Sequence, residues 1–438
     1  MKRRATRLCA GAATLAVSLT PTALAIGATD AVSADHGFRK VGYFTQWSIY
    51  TRHFVVKNLQ ENGSAGRLTH INYAFGRVAR NAAGDVVCSS GDPWADYQKP
   101  FTAGEDVNGV RETWGAPLRG NFNQLKKLKA KHPDLEVLIS LGGWRWSRYF
   151  SDAALTRESR RTFVKSCINL FIKGNLPNLD GGSGGPGTGA GVFDGIDLDW
   201  EWPGSPGRAG NIVRRVDRTN FTKLVAEFRR QLDTYGGRKG KRYALTAFLP
   251  AAPAKVKSGV EVAKLFPLLD YATIQGYDFH GTWESRTNHQ AQLFSPPRDP
   301  DPARFSLDRA IDVYRARGAP ARKLVVGVPY FGRGWTRVPS ANHGLYQPSA
   351  GAARGMFEAG IEDYRVLARR RGVHYRDPAH GAHWLYDGTR WWSYDDPIGV
   401  ARKMRYVLAN RLGGAMMWSL DGDDAHGTLT ATIDRLLR

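Results

Sequence analysis

Eight strand-like apolar runs that alternate with helical segments constrain the fold of this chain more than any other feature. The expected strands lie near residues 40–46, 68–75, 134–141, 192–199, 243–249, 270–277, 323–330 and 414–419. Helical patterns lie near residues 120–131, 156–174, 217–235, 304–317 and 396–411. Strands that alternate with helices are typical of a parallel sheet, and eight repeats in 438 residues suit one closed barrel with insertions. We therefore predict an α/β fold, a (β/α)8 TIM barrel.

The interval between the seventh and eighth expected strands is too long for one helix and its loops. It contains a helix-like segment, 361–371, and then two short β-prone runs, 383–386 and 389–392, separated by Asp387-Gly388. An Asp-Gly pair between two such runs is a strong hairpin signal. This interval is therefore expected to hold a helical segment and a hairpin in addition to the barrel elements.

The fourth expected strand carries four carboxylates at the spacing D-x-x-D-x-D-x-E: Asp194, Asp197, Asp199 and Glu201. Side chains alternate between the faces of a strand, so the last three acids share one face and the other face is apolar. Burying unpaired carboxylates costs on the order of several kcal/mol each, and crowding separates their pKa values, so that one remains a proton donor near neutral pH. This arrangement predicts general acid catalysis. The alternatives are an acidic surface strand or a calcium loop, although a calcium loop favours polar, glycine-rich spacers.

In this context the four acids resemble the signature of the family 18 glycoside hydrolases, the chitinases. Further motifs follow in that family's order along nearly the whole chain after its N-terminal segment: Val41-Gly42-Tyr43-Phe44, Ile71-Asn72-Tyr73-Ala74-Phe75, Ser140-Leu141-Gly142-Gly143-Trp144, Gln275-Gly276-Tyr277-Asp278 and Met417-Trp418. The resemblance implies a secreted enzyme that hydrolyses β-1,4-linked N-acetylglucosamine in chitin and chitooligosaccharides.

Glu201 is the expected proton donor to the glycosidic oxygen. It is the last acid of its strand, and barrel active sites lie at the carboxyl ends of the strands. Asp199 lies on the same side of the sugar, so it does not supply the opposing carboxylate of ordinary glycosidases; family 18 enzymes instead use the substrate's own 2-acetamido group. The resemblance implies that Asp199 turns between Asp197 and the acetamido N–H, and that Tyr277 donates a hydrogen bond to the acetamido group.

The remaining substrate contacts follow from the resemblance and from the stacking of aromatic rings on apolar sugar faces. The residues expected to bind substrate are Asp194, Tyr43, Trp144, Gln275, Asp278, Trp283, Arg333 and Trp418. Asp194 is also expected to help to tune the carboxylate pKa values. Trp418 is the expected floor under the −1 sugar, and Trp144 and Trp283 are expected to line the positive subsites. The alternative for each aromatic residue is that its ring packs in the hydrophobic core and does not contact the sugar.

Three residues of the third expected strand are assigned a supporting role. Ser140 is expected to support the carboxylates, and Gly142 and Gly143 are expected to permit close backbone packing. Two positions depart from the family pattern. Gln275 replaces the usual Met, and Phe331 stands where relatives often have Tyr, which puts a substrate hydrogen bond there in doubt.

The N-terminal segment has the pattern of an export signal. A basic start with Lys2 and three arginines precedes a small and apolar run, 9–24, and small-residue cleavage sites follow at 23–25 and 31–34. The run is broken by Pro21 and is too short to span a bilayer, so a membrane anchor is the weaker alternative. The expected organisation is a secretory signal peptide at 1–34 and a catalytic barrel at 35–334 and 392–438. The resemblance implies that 335–391 is a small α+β insertion between strands 7 and 8, which forms one wall of the cleft.

The formal net charge of +22 raises the question of an anionic partner. No nucleic-acid module is visible and the excess arginines are scattered, so the charge is interpreted as a solubility feature, while attraction to acidic cell-wall polymers is left open. Export permits a disulfide between Cys88 and Cys167, but the sequence leaves that pairing open. No Cys/His cluster has zinc spacing. We expect no metal or cofactor, no nucleic-acid or membrane partner, and a monomer that binds chitin and chitooligosaccharides.

Two other functions compete with a chitinase. An endo-β-N-acetylglucosaminidase acting on N-glycans shares the carboxylate signature but generally lacks the insertion. A chitin-binding lectin of the same fold has usually lost the terminal acid, whereas Glu201 is present here.

Overall fold

The computed structural model describes Met1 and residues 37–438, so the expected signal peptide otherwise lies outside the described residues. The strands are β1 (Arg39–Thr45), β2 (His70–Arg80), β3 (Val86–Ser90), β4 (Glu136–Gly142), β5 (Leu176–Leu179), β6 (Ser183–Gly185), β7 (Gly195–Asp199), β8 (Ala244–Leu249), β9 (Tyr271–Ile274), β10 (Leu324–Pro329), β11 (Phe331–Trp335), β12 (Ile361–Asp363), β13 (Val373–Asp377), β14 (Ala382–Tyr386), β15 (Trp391–Ser393) and β16 (Gly414–Trp418). The helices are α1 (Val56–Glu61), α2 (Gly120–Lys131), α3 (Gly143–Trp146), α4 (Phe150–Leu155), α5 (Arg157–Cys167), α6 (Asp217–Gly237), α7 (Pro253–Gly259), α8 (Val262–Leu265), α9 (Leu307–Arg315), α10 (Tyr364–Leu367), α11 (Pro397–Ala409) and α12 (Thr428–Leu436).

Eight parallel strands close into a barrel in the order β1-β2-β4-β7-β8-β9-β10-β16. The last strand pairs with the first, with Arg39 opposite Gly414 and Gly42 opposite Met417. Each of the eight strand runs in the sequence overlaps one of these strands, so the predicted (β/α)8 barrel is confirmed. The hairpin partner β3 extends the sheet by an antiparallel pairing with β2.

The two faces of β7 differ as its alternating sequence predicts. Ile196 and Leu198 face the helices and are fully buried in the main core. Trp200 follows them on that side and stacks on Phe150 with the ring centroids 5.3 Å apart. The other face points into the barrel, where Asp197 is fully buried. The apolar face anchors the strand, and the strand thereby fixes the acids of its inner face.

A five-stranded antiparallel sheet is inserted between β10 and β16, in the order β12-β11-β15-β14-β13. Its first strand in the chain, β11, begins at Phe331, two residues after the end of β10, and its last strand in the chain, β15, ends at Ser393. β14 and β15 pair on either side of Asp387-Gly388, where Gly388 has a positive φ of 94°. The segment 361–371 is not one helix, because it begins as β12 and contains only the single turn α10.

Cys88 and Cys167 form a disulfide that ties β3 to the end of α5. The pairing that the sequence left open is therefore present. The glycine-rich segment that precedes β7 includes the short hairpin β5–β6. Among the described residues, no helix combines the length and apolar character needed to cross a bilayer.

Candidate active site

Asp197 lies inside the barrel below the carboxyl ends of the strands, and neighbouring strands supply its hydrogen bonds. Its carboxylate accepts them from three hydroxyls: Tyr43 (2.8 Å), Ser140 (2.7 Å) and Thr246 (2.6 Å). Burial raises the pKa of Asp197, and these hydrogen bonds oppose the rise because they favour the ionised form. Of Asp197, Asp199 and Glu201, Asp197 therefore has the surroundings that best stabilise a negatively charged carboxylate.

Asp199 has a contrasting environment. It is buried, and its Oδ1 has no hydrogen-bond partner among the described residues. Burial and the neighbouring charges of Glu201 and Asp197 raise the pKa of Asp199 well above its usual range. Asp199 therefore keeps its proton more readily than Asp197 does, and one of its oxygens is left for an external group.

Glu201 lies two residues beyond β7, at the mouth of the barrel, and is half-buried. Its backbone is fixed on both sides. The N–H donates to Ser147 Oγ (2.9 Å), and the carbonyl accepts from Asn211 Nδ2 (2.9 Å). Burial and the charge of Asp278 raise the pKa of Glu201 to about 8, and Lys255 opposes the rise. The carboxyl group is therefore protonated at neutral pH.

Tyr277 and Asp278 reach the same mouth from the end of β9. Tyr277 is buried, with its ring stacked on Phe248 at 6.2 Å and its edge against Phe331 at 5.8 Å. Burial and the nearby acids, Asp199 first among them, raise the pKa of Tyr277 well above its usual range, so its hydroxyl remains a donor. Asp278 accepts a hydrogen bond from Arg333 Nε at 2.8 Å.

Aromatic rings line the mouth above these groups. Trp418 is half-buried, stacks on Phe75 with a centroid distance of 5.7 Å, and meets Tyr43 edge-on at 5.1 Å. Trp144 and Trp283 are 51% and 59% exposed, which is unusual for rings of this size. The Arg333 guanidinium lies over one face of Trp283, 5.2 Å from the ring centroid.

Close backbone packing holds the end of β4 beside β7. A Cβ at Gly142, where φ is 103°, would lie 2.5 Å from the carbonyl oxygen of Asp199. A Cβ at Gly143 would lie 2.5 Å from the Phe75 ring. Glycine is required at both positions because a side chain would push these groups apart. Gln275 is half-buried at the end of β9, and its side-chain oxygen accepts from the Ala251 N–H at 3.3 Å.

Asp194 does not join this group, so its assignment to substrate binding is not retained. It precedes β7 and lies at the opposite, amino-terminal end of the barrel. Its carboxylate accepts from the Val137 N–H and pairs with Lys129 (2.6 Å) and Lys241 (2.7 Å). At roughly 3.3 Å per residue, seven residues of extended chain separate Asp194 from Glu201 by about 23 Å.

Sequence reasoning missed three residues at the mouth. Lys255 lies on α7 with its ammonium 4.9 Å from the Trp202 ring centroid, and its charge reaches Glu201. Phe75 supports Trp418. Phe75 lies within β2, where the pairing of that strand with β4 shifts register, and Trp202 follows β7 by three residues. Their places in the motifs of these strands could have marked both, whereas no local pattern marks Lys255. Among the described residues, no group of three His, Cys, Asp or Glu side chains is arranged to hold a metal ion.

Comparison with known proteins identifies the family. The profile of glycosyl hydrolases family 18 matches residues 39–423, and the chain belongs to that family. It is 36% identical over 431 residues to "Chitinase C" of Streptomyces lividans, and the match covers 98% of this chain and 64% of that protein. It is 36% identical over 403 residues to "Chitinase 63" of Streptomyces plicatus, with 91% and 60% covered. The chain thus spans about three fifths of the length of these relatives.

One solved structure shares both the fold and much of the sequence. The catalytic domain of psychrophilic chitinase B from Arthrobacter TAD20 is 45% identical, with a TM-score of 0.88. The match covers 92% of this chain and 95% of that chain.

Proposed function

We propose that this chain is a chitinase, which hydrolyses β-1,4 linkages between N-acetylglucosamine units with retention of configuration. The observation that carries the proposal is Glu201, a half-buried acid at the barrel mouth whose pKa is raised to about 8. A protonated carboxyl there can protonate the glycosidic oxygen as the leaving group departs. The names of the relatives support chitin as the substrate.

The other acids suit a reaction in which the substrate supplies its own nucleophile. Ordinary retaining glycosidases place a second free carboxylate across the sugar. Asp199 is on the same strand face as Glu201, and Asp278, whose charge also reaches Glu201, is ion-paired with Arg333. We assign attack on C1 to the acetamido oxygen of the −1 sugar, which gives a cyclic oxazolinium intermediate that water then opens.

Asp199 and Tyr277 are suited to hold that acetamido group. Asp199 has an oxygen with no partner among the described residues, and the Tyr277 hydroxyl keeps its proton. Asp199 accepts from the acetamido N–H and shares its own proton with Asp197, whose three hydroxyl partners stabilise the charge. Tyr277 donates to the acetamido oxygen. Trp418 lies under the sugar and holds its apolar face.

The same proposal places the protein outside the cell. The Cys88–Cys167 disulfide supports this location, because such bonds persist in oxidising compartments. Expression of the full chain in a secreting host should release a protein whose N-terminal residue follows the expected signal peptide at 1–34. Recovery of the unprocessed chain in the cells alone would contradict export.

Partly acetylated chitosan tests the function and its mechanism together. The enzyme should cut only where the −1 unit carries an acetyl group, and the first product should be the β-anomer. Fully deacetylated chitosan and cellulose oligomers should be inert. The measurements are the sequences of new reducing ends and the anomeric signal in the first turnovers. Frequent glucosamine at the new reducing ends would reject substrate assistance.

A further inference from the structure

A basic groove runs between α5 and α6 on the helical exterior of the barrel. Its volume is about 780 Å³. Six of the residues that line it are exposed cations: Arg157, Arg161, Lys165, Lys173, Arg230 and Arg238. One lining residue, Glu158, is acidic. The groove is therefore strongly cationic and is separate from the carboxylates at the barrel mouth.

The cations form two rows because of their helical spacing. Arg157, Arg161 and Lys165 are four residues apart on α5, which places one charge at each turn, about 6 Å apart along the axis. Arg230 lies on the facing side of α6, and Arg238, eight residues further on, is the residue that caps the carboxyl end of that helix. The side chain of Gln231 donates to the Arg161 carbonyl at 3.2 Å and sets the two helices side by side.

Five of the six cations have no salt bridge with any carboxylate in the described part of the chain. The exception is Arg230, which pairs with Glu227 at 2.5 Å. Exposed like charges in two facing rows repel one another, so an anion placed between them relieves that repulsion. A chain with regularly repeated negative charges matches the rows better than a single small anion does.

The chemistry of the groove favours phosphate. Four of the six cations are arginines, whose planar guanidinium groups bind phosphate oxygens through two hydrogen bonds. Tyr235 is the aromatic residue of the lining, but its ring is already covered by the Lys173 ammonium at 5.5 Å and by Tyr243 at 5.7 Å. Single-stranded nucleic acids require free rings for base stacking. A phosphate polymer without bases does not require them.

We propose that the groove between α5 and α6 binds a linear polymer of phosphodiesters that carries no stacking bases. The polymer neutralises Arg161 and Lys165 on one wall and Arg238 on the other. The disulfide fixes the end of α5 to β3, which keeps the first row of cations in place. Binding there holds the enzyme on a polyanionic surface and leaves the barrel mouth open to substrate.

Binding of an end-labelled poly(glycerol phosphate) oligomer to the full chain tests the proposal by fluorescence anisotropy. The affinity should fall steeply as salt rises, because binding releases counterions. The triple variant Arg161→Gln/Lys165→Gln/Arg238→Gln should bind about tenfold more weakly or worse at low salt, with a smaller salt slope. Its melting temperature and its hydrolysis of short chitin oligomers should stay unchanged, since these side chains are exposed and lie outside the catalytic group.

The matched control is Lys131→Gln/Arg405→Gln/Arg435→Gln, which removes the same formal charge from exposed positions on α2, α11 and α12. It should keep nearly all of the affinity. An equal loss of affinity in both triple variants would show that the polymer binds to charge spread over the whole surface, and would overturn the groove as the binding site. A single-stranded oligonucleotide or a polyuronate of equal charge that binds more tightly than the phosphate polymer would overturn the assigned ligand.

Discussion

Acidic residues lie at both ends of strand β7, but the environments of their carboxyl groups differ. At the amino-terminal end, Asp194 accepts a backbone N–H and pairs with two lysines. At the carboxyl end, Asp199 and Glu201 are surrounded by other acids, and their pKa values are raised. One end satisfies its charge and so stabilises the fold. The other raises the pKa values of its acids, which costs stability as the pH rises from about 4 through about 8 and provides reactivity.

Replacing Glu201, the acid at the mouth, should give the largest effect on activity. Glu201→Gln keeps the shape but cannot donate a proton, so turnover of chitin oligomers should fall by at least about 10²–10⁴-fold. Oligomer affinity should remain close to wild type. A variant that retains more than about a tenth of the activity would show that another group is the acid.

The same variant should also gain stability at alkaline pH. A carboxyl with a raised folded-state pKa favours folding below its unfolded value, near pH 4.3, and loses that contribution as pH rises through about 8. Glu201→Gln should therefore raise the melting temperature, relative to wild type, more at pH 9 than at pH 5. An equal change at both values would contradict the raised pKa.

The second acid of the mouth should have a slightly smaller effect on rate. Asp199→Asn keeps the size of the side chain, but its amide cannot pass a proton to Asp197 and so cannot become the carboxylate that stabilises the positive charge of the oxazolinium. We expect a loss of about 10²-fold in turnover, measured with saturating oligomer, and little loss of folding stability. An undiminished rate would remove the substrate-assistance argument.

Replacing the acid at the opposite end should change stability and leave the chemistry alone. Asp194→Asn removes the charge that Lys129 and Lys241 share, and we expect about 1–3 kcal/mol of lost unfolding free energy in urea, since Lys241 is partly exposed. The turnover of the folded variant should match wild type. A reduced rate with unchanged stability would show that the two ends are coupled.

The smallest expected effect is a shift of the pH profile on replacing Lys255, the cation near Glu201 at the mouth. Lys255 lowers the pKa of Glu201, so Lys255→Met should raise it further. Activity needs protonated Glu201 and falls as pH rises through its pKa. The alkaline limb of the kcat/KM profile should therefore move to higher pH in the variant. Lys257→Met, an exposed change on the same helix α7, should leave the profile in place.

Much of the barrel could be predicted from the sequence because its strands are short, nearly continuous apolar runs with helical segments between them. The alternation of faces along β7 also gave the shared face of Asp197 and Asp199. The exclusion of Asp194 from the site could also have been predicted, because the seven residues of extended chain between Asp194 and Glu201 span more than the depth of one site.

Other parts depend on contacts between distant segments. The edge strand β13 alternates poorly and is mostly exposed or half-buried, so it has no apolar stripe to reveal it. The segment that begins as β12 has charged residues suited to a helix, but pairing with β11 holds its first three residues extended. Lys255 belongs to the mouth only because α7 packs against the segment that follows β7, where Ser258 is hydrogen-bonded to Ser205, and no local sequence pattern indicates this contact.

The pairing of β16 with β1 also determines how this chain must acquire its fold. These neighbours join positions 39 and 414, so the contact that closes the ring is among the most distant in sequence. Until β16 has been synthesised, β1 and β10 each lack a partner along one edge, and unpaired edges recruit other chains. Such non-local pairing is slow to form and exposes folding intermediates to aggregation. Pairing of β16 with both β1 and β10 therefore completes the barrel and removes both unpaired edges at once.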